Sequence, residues 1–268
     1  MAAGAPPTIV VAAASEEARR LWKRALALAD GLGEDPAWTL VGGMMVQLHA
    51  AEHRRESRFT DDIDVLGDSR LRPPATRSIV ETIQRHGGAM VDPPSSAEDL
   101  GCRFDLDGET VEVLGTDGVK SDPRTIGRYV TIQVPGGTQA LRRSEVVMVS
   151  IDGATPVAVR RPDLLGAILI KARAVATERR EKFDSDRQDL VLLLSLVADP
   201  RALAAGSKLK KSERGWLRDI EEQLAFSAPA LQSLFDPETL THARLAFRLL
   251  AESRPKRPDQ DLNLGPTP

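Results

Sequence analysis

The chain has a single cysteine, Cys102, in 268 residues, so no internal disulfide can form. That fits a reducing compartment, and a cytoplasmic protein is the expectation. Lying in a strand-like segment, Cys102 reads as a small core residue. No stretch approaches the roughly 20 uninterrupted apolar residues that cross a bilayer. Even the richest run, residues 164–176, carries Lys171 and Arg173, so no membrane association is expected. The first residues are Ala-rich but lack the basic segment of a signal peptide, and no export is expected either. A basic excess is also missing. The net charge is −3, which excludes a molecule-wide positive field and confines any nucleic-acid contact to local clusters. Three such clusters exist, at Arg142-Arg143, residues 173–182 and residues 208–211, although charge runs on amphipathic helices are ordinarily solvated faces. No internal repeat is visible.

What the chain does have is 41% hydrophobic content, enough for one large core or two modest ones. Apolar residues Ala18, Trp22, Ala25, Leu26 and Ala29 recur at helical spacing over residues 15–32. Residues 37–41 read as a short strand, Gly42-Gly43 as a turn, and Met44 onward as a second helix. Residues 62–66 alternate acid with aliphatic, and a further helix spans residues 78–86. Strand-like segments follow at residues 102–106, 110–114, 129–134 and 145–149, with a turn at Asp107-Gly108. After Pro162 the pattern becomes helical, over residues 164–177, 188–197, 213–226 and 242–251. The expected fold class is therefore α/β (α+β), with a mixed-sheet domain over residues 1–160 and an all-helical domain over residues 161–252. The Pro-rich polar stretch 253–268 is expected to be a disordered tail.

The chemistry-bearing feature is Asp62-Ile63-Asp64-Val65. On a strand, alternate residues share a face, so both carboxylates converge and favour a hard divalent cation such as magnesium. Alone, an Asp-x-Asp usually marks only a solvated turn. About twenty residues upstream, however, Gly42-Gly43 stands between strand and helix, where bare N–H groups and the positive helix end suit a triphosphate. The bland alternative is a glycine pair that merely turns the chain tightly. A third acid, Glu112, alternates with Val111 and Val113 on a strand that could run beside the first, where it could share a metal or act as general base. His49 and His53 stand four apart, but the intervening residues are not His-Glu-x-x-His and no third zinc ligand is evident.

The strings 40–49 (LVGGMMVQLH) and 58–65 (RFTDDIDV) resemble the signature of the AbiEii/AbiGii nucleotidyltransferase toxins, a branch of the DNA polymerase β-like nucleotidyltransferase superfamily. Arg161-Pro162-Asp163-Leu164-Leu165, Lys171 and Asp186-Arg187-Gln188-Asp189-Leu190 look like that family's helical motifs. The resemblance implies a polymerase β-like domain followed by helices, with magnesium or manganese held by Asp62 and Asp64 and an NTP as substrate. It further implies that Gly42 and Gly43 approach the phosphates, that Arg58 orients its loop or touches phosphate, and that Lys171 and Asp189 complete the site. Asp184 and Asp186 compete with Asp189 for the last role. For Lys171, a snorkelling surface lysine is the rival reading. The resemblance implies an acceptor such as tRNA and a cognate antitoxin partner. Two departures stand out: Gly-Gly replaces the superfamily's Gly-Ser, and Glu112 stands where aspartate is more usual. The rivals are a nucleotidyltransferase acting on a small molecule or a protein, and a catalytically silent module that binds a nucleotide or a partner. A glycosyltransferase also uses Asp-x-Asp, but the Gly-Gly helix and the helical second half argue against it.

Overall fold

The computed structural model describes residues 8–71, 73–91, 103–120, 124–127, 129–177, 183–207 and 209–252. Cys102 and the expected tail 253–268 lie outside them. The first half is a mixed α/β assembly. β1 (Thr8–Val11) leads into α1 (Glu16–Leu32), followed by β2 (Trp38–Leu40), α2 (Gly42–Glu52), β3 (Asp62–Gly67), α3 (Ala75–Arg85), β4 (Ala89–Met90), β5 (Arg103–Leu106) and β6 (Glu109–Thr116). Next come β7 (Arg124–Ile126), β8 (Tyr129–Val130), β9 (Ile132–Val134), α4 (Gly137–Arg142), β10 (Ser144–Ile151) and β11 (Val157–Pro162). The rest is helical: α5 (Leu164–Ala176), α6 (Phe183–Ser195), α7 (Pro200–Gly206), α8 (Lys211–Asp219), α9 (Glu221–Leu224), α10 (Pro229–Leu234) and α11 (Pro237–Ala251).

The main sheet has the order β2-β3-β6-β5-β4, with β9 also pairing β6. A second sheet, β1-β10-β11, packs beside it through β11 and β2. The pairing of β3 with β6 is parallel and sets Asp64 directly opposite Glu112. Pleat alternation sends Ile63, Val65, Val111 and Val113 into the core beneath α1 and α3, and puts Asp62, Asp64, Leu66, Glu112 and Leu114 on the opposite face. On that face the order along β3 is acid, acid, leucine. The acids therefore stand at the front edge while Leu66 is roofed by the helical half.

Capping explains α1. Ser15 accepts a hydrogen bond from Ala18 N–H, Glu16 and Glu17 occupy the positive first turn, and Gly33 stops the helix at φ +63°. α2 is apolar almost all round, the pattern of a fully buried helix. Met44 and Leu48 enter the sheet-side core, while Met45, Val46 and Ala50 enter the core shared with α5, α6 and α11. This helix joins the two halves mechanically.

Several sequence expectations need correction. Residues 129–134 are not one strand, because β8 pairs with β7 while β9 pairs with β6. The segment 213–226 is two helices, broken at Ile220. The helix expected over 188–197 begins at Phe183 and ends at Ser195. Gly42-Gly43 is the opening of α2 itself and not a turn ahead of it. β1, β4, β7 and β11 are strands that the sequence reading left out, and residue 160 falls within the last of these.

Candidate active site

One cleft of about 380 Å³ gathers residues from β3, β6, α2, α5 and α6. Its acidic wall is built by strand register. Asp62 and Asp64 project from β3 and Glu112 from β6, and one oxygen of each lies within 4.8 Å of the others. Asp64 is buried, while Asp62 and Glu112 are half-buried. Neighbouring groups hold them. Thr60 Oγ1 donates to Asp62 Oδ1 at 2.6 Å, and Arg103 on β5, directly opposite Glu112, donates from Nη2 to its Oε1 at 2.6 Å. Three converging carboxylates are an oxygen-donor set suited to a hard divalent cation.

The glycine pair meets these acids closely. Gly42 has φ +64°, and a Cβ there would overlap the Asp64 carboxylate, approaching its Cγ to 2.6 Å. A Cβ on Gly43 would come within 2.6 Å of Thr60 Cβ. Both positions thus require glycine for close approach to the acidic strand and its loop, not merely for a tight turn. Val41 N–H donates to Asp64 C=O at 2.9 Å and locks the start of α2 against β3. Gly42 and Gly43, in the first turn of α2, consequently line the same cleft as the carboxylates.

The opposite wall comes from the helical half. Lys171, only 6% exposed, donates to Asp186 Oδ1 and forms an ion pair with Asp189 Oδ2, both at 2.8 Å. Burial alone would lower its pKa, but Asp189 and Asp186 outweigh it and hold the ammonium above its ordinary value. The snorkelling reading of Lys171 is therefore replaced by a buried, charged lysine. Asp189 is 1% exposed and also accepts from Arg58 Nε and Nη2, each at 2.9 Å. Arg58 is likewise opposed by burial and raised by Asp189, and it stays cationic.

The structure thus brings Gly42, Gly43, Arg58, Asp62, Asp64, Glu112 and Lys171 to one cleft. It sets Asp189 behind that cleft as the shared anchor of Arg58 and Lys171. Asp186, one of its two competitors in sequence, lines the cleft instead, and the exposed Asp184 pairs with Arg187 at 3.4 Å. Sequence reasoning missed Thr60, Asp61, Arg103 and Gln47. Gln47 Nε2 donates to Arg58 C=O at 3.1 Å, and Gln47 Oε1 accepts from Trp22 Nε1 at 3.0 Å, tying the loop to α1. Thr60 and Asp61 were within the signature string, so a signal for them existed.

The histidines serve the fold. His49 Nε2 donates to Pro162 C=O at 3.0 Å, and His53 Nδ1 donates to His49 C=O at 2.9 Å. One arginine in each of two basic clusters is occupied internally: Arg143 faces Glu213 at 3.5 Å, and Arg173 stacks over Trp216 at 5.1 Å. Residues 178–182 and 208 lie outside the described residues. Among the described residues, no helix is long and apolar enough to cross a membrane.

No protein-family model matches the sequence, and the search of curated proteins found no match. Among solved structures, the chain is similar to the crystal structure of ANT(2'')-Ia in complex with adenylyl-2''-tobramycin. The identity is 16%, with 85% of this chain and 95% of that chain covered at a TM-score of 0.34. A solution structure of the same antibiotic-resistance factor matches at 16% identity, covering 85% of this chain and 90% of that one, with a TM-score of 0.34.

Proposed function

We propose that this chain is a nucleotidyltransferase that moves a nucleotide from an NTP to an acceptor hydroxyl. The observation that carries the proposal is the convergence of Asp62, Asp64 and Glu112 opposite a glycine-opened helix N-terminus and a buried, charged lysine, all in one cleft. Asp62, Asp64 and Glu112 fit the oxygen-donor set of magnesium or manganese, which when bound neutralises phosphate charge in the transition state. Each protein group then has a task. The N–H groups at Gly42 and Gly43 and the cations Arg58 and Lys171 bind the triphosphate and fix the α-phosphorus for in-line attack. Glu112 receives the acceptor proton as the new O–P bond forms, the α–β anhydride bond breaks and pyrophosphate leaves. Asp189 keeps Arg58 and Lys171 in place without touching substrate.

The proposed domain division is a nucleotidyltransferase unit over residues 1–160 and a helical unit over residues 161–252, with the cleft between them. A tRNA acceptor, a toxin role and a cognate antitoxin rest on the motif resemblance, and a cytoplasmic location on the single cysteine. A second reading, a small uncharged or cationic hydroxyl acceptor, is favoured by the cleft lining. Among the described residues that line it, Asp61, Asp62, Asp64, Glu112 and Asp186 outnumber Arg58 and Lys171, a balance unfavourable to a polyanion. The test is incubation with each α-labelled NTP and magnesium, using tRNA, cell protein or small polyols and amino sugars as acceptors and Asp62→Ala as control. Label on any acceptor that depends on Asp62 supports the enzyme and identifies its acceptor class. An intact protein that binds NTP but transfers nothing to any of them would indicate the silent binding module.

A further inference from the structure

The cleft has a region that neither the metal nor the triphosphate accounts for. Two residues beyond Glu112 on the same face of β6 stands Leu114, which β6–β9 pairing sets opposite Ile132, and Val134 follows on β9. Ile170 and Ala174, one helical turn apart on α5, close the same end and flank Lys171. Leu114, Val134 and Ala174 are only half-buried, so an aliphatic wall faces an otherwise strongly charged cleft. The charged groups of the cleft serve anions and cations, whereas this wall removes water from something uncharged. Two residues along a strand span about 6.6 Å, the scale of the ribose that separates a nucleotide's α-phosphate from its base.

We propose that Leu114, Val134, Ile170 and Ala174 form the nucleobase subsite, where the base of the NTP lies against aliphatic side chains while its phosphates reach Gly42, Gly43 and Lys171. This inference rests on the nucleotidyltransferase reading and adds which part of the cleft takes the base. Aliphatic groups carry no donor or acceptor, so the wall holds any base by contact area and does not read its Watson–Crick edge. Purines, having the larger face, bind more tightly than pyrimidines.

The test is titration calorimetry of the full chain with magnesium and, separately, ATP, CTP and inorganic triphosphate. Two variants are compared with the wild type: Ala174→Trp, which fills the seat from a half-exposed helix position, and Val134→Asn, which makes it polar. The wild type is expected to bind ATP at least tenfold more tightly than inorganic triphosphate, with CTP in between. Both variants are expected to lose most of that gap while binding triphosphate within twofold of the wild type. A gap that survives in both variants, or an equal loss for nucleotide and triphosphate, overturns the subsite. A wild type that binds neither ligand would instead overturn the nucleotidyltransferase reading, and one that binds both equally would overturn only the subsite.

Discussion

Acid should destabilise this protein through His49. Its ring is 1% exposed, Nε2 is committed to Pro162 C=O, and the buried Nδ1 has no hydrogen-bond partner. Burial, reinforced by the nearby Arg161 guanidinium and to a lesser extent by His53, lowers its pKa from 6.5 to about 3. The folded-state value thus lies below the unfolded one. The neutral ring contributes full stability above pH 6.5 and loses it progressively as the pH falls toward 3, because the unfolded chain takes up a proton that the folded chain refuses. Between pH 7 and pH 5 that linkage amounts to about 2 kcal/mol. Other groups titrate over the same range, so the effect is isolated by difference. His49→Gln keeps an N–H able to reach Pro162 C=O but cannot take up the proton. Urea denaturation of both proteins at pH 7 and pH 5 should show the wild type losing about 2 kcal/mol more than the variant. Equal losses would show that His49 is not held neutral by its surroundings.

Three further outcomes follow from the cleft geometry. Gly42→Ala should lose at least about 1–2 kcal/mol of stability from its positive φ alone, with more for the displaced Asp64, and cut kcat about 100-fold, since small misplacements at a reacting centre are costly; near-wild-type turnover would show that the close approach is unimportant. Asp189→Ala should lower unfolding stability by about 3 kcal/mol, because Arg58 and Lys171 lose their shared buried partner, and should raise the KM for NTP. An unchanged denaturation midpoint would contradict that anchoring role. Glu112→Gln should reduce kcat by at least about 100-fold; a wild-type rate would show that the base lies elsewhere.

Much of this site was legible in the sequence because it is written in local patterns. Alternation fixed the face of Asp62 and Asp64, and the same rule put Glu112 beside them once β6 paired with β3. The glycine pair was visible too, although its reason, contact with Asp64 and Thr60, is tertiary. What escaped depends on distant partners. β1 finds its pair in β10, some 140 residues later, so its short Val-rich run carried little signal by itself. In β11, Arg160, Arg161 and Pro162 disguised a strand, and Arg161 is tolerated inside because Glu52 and Glu145 neutralise it. Among the acids of α6, only the observed helix phase shows that Asp189 turns inward to two cations while Asp186 reaches the cleft.

The most direct test of nucleotidyl transfer is the fate of label from two forms of the same NTP, one labelled at the α-phosphorus and one at the γ-phosphorus, in the presence of magnesium and an acceptor extract. The geometry predicts that α-label passes to the acceptor, that γ-label leaves as pyrophosphate, and that both events vanish in Asp64→Asn. Transfer of γ-label to the acceptor would contradict the account, because it would make this cleft a kinase site.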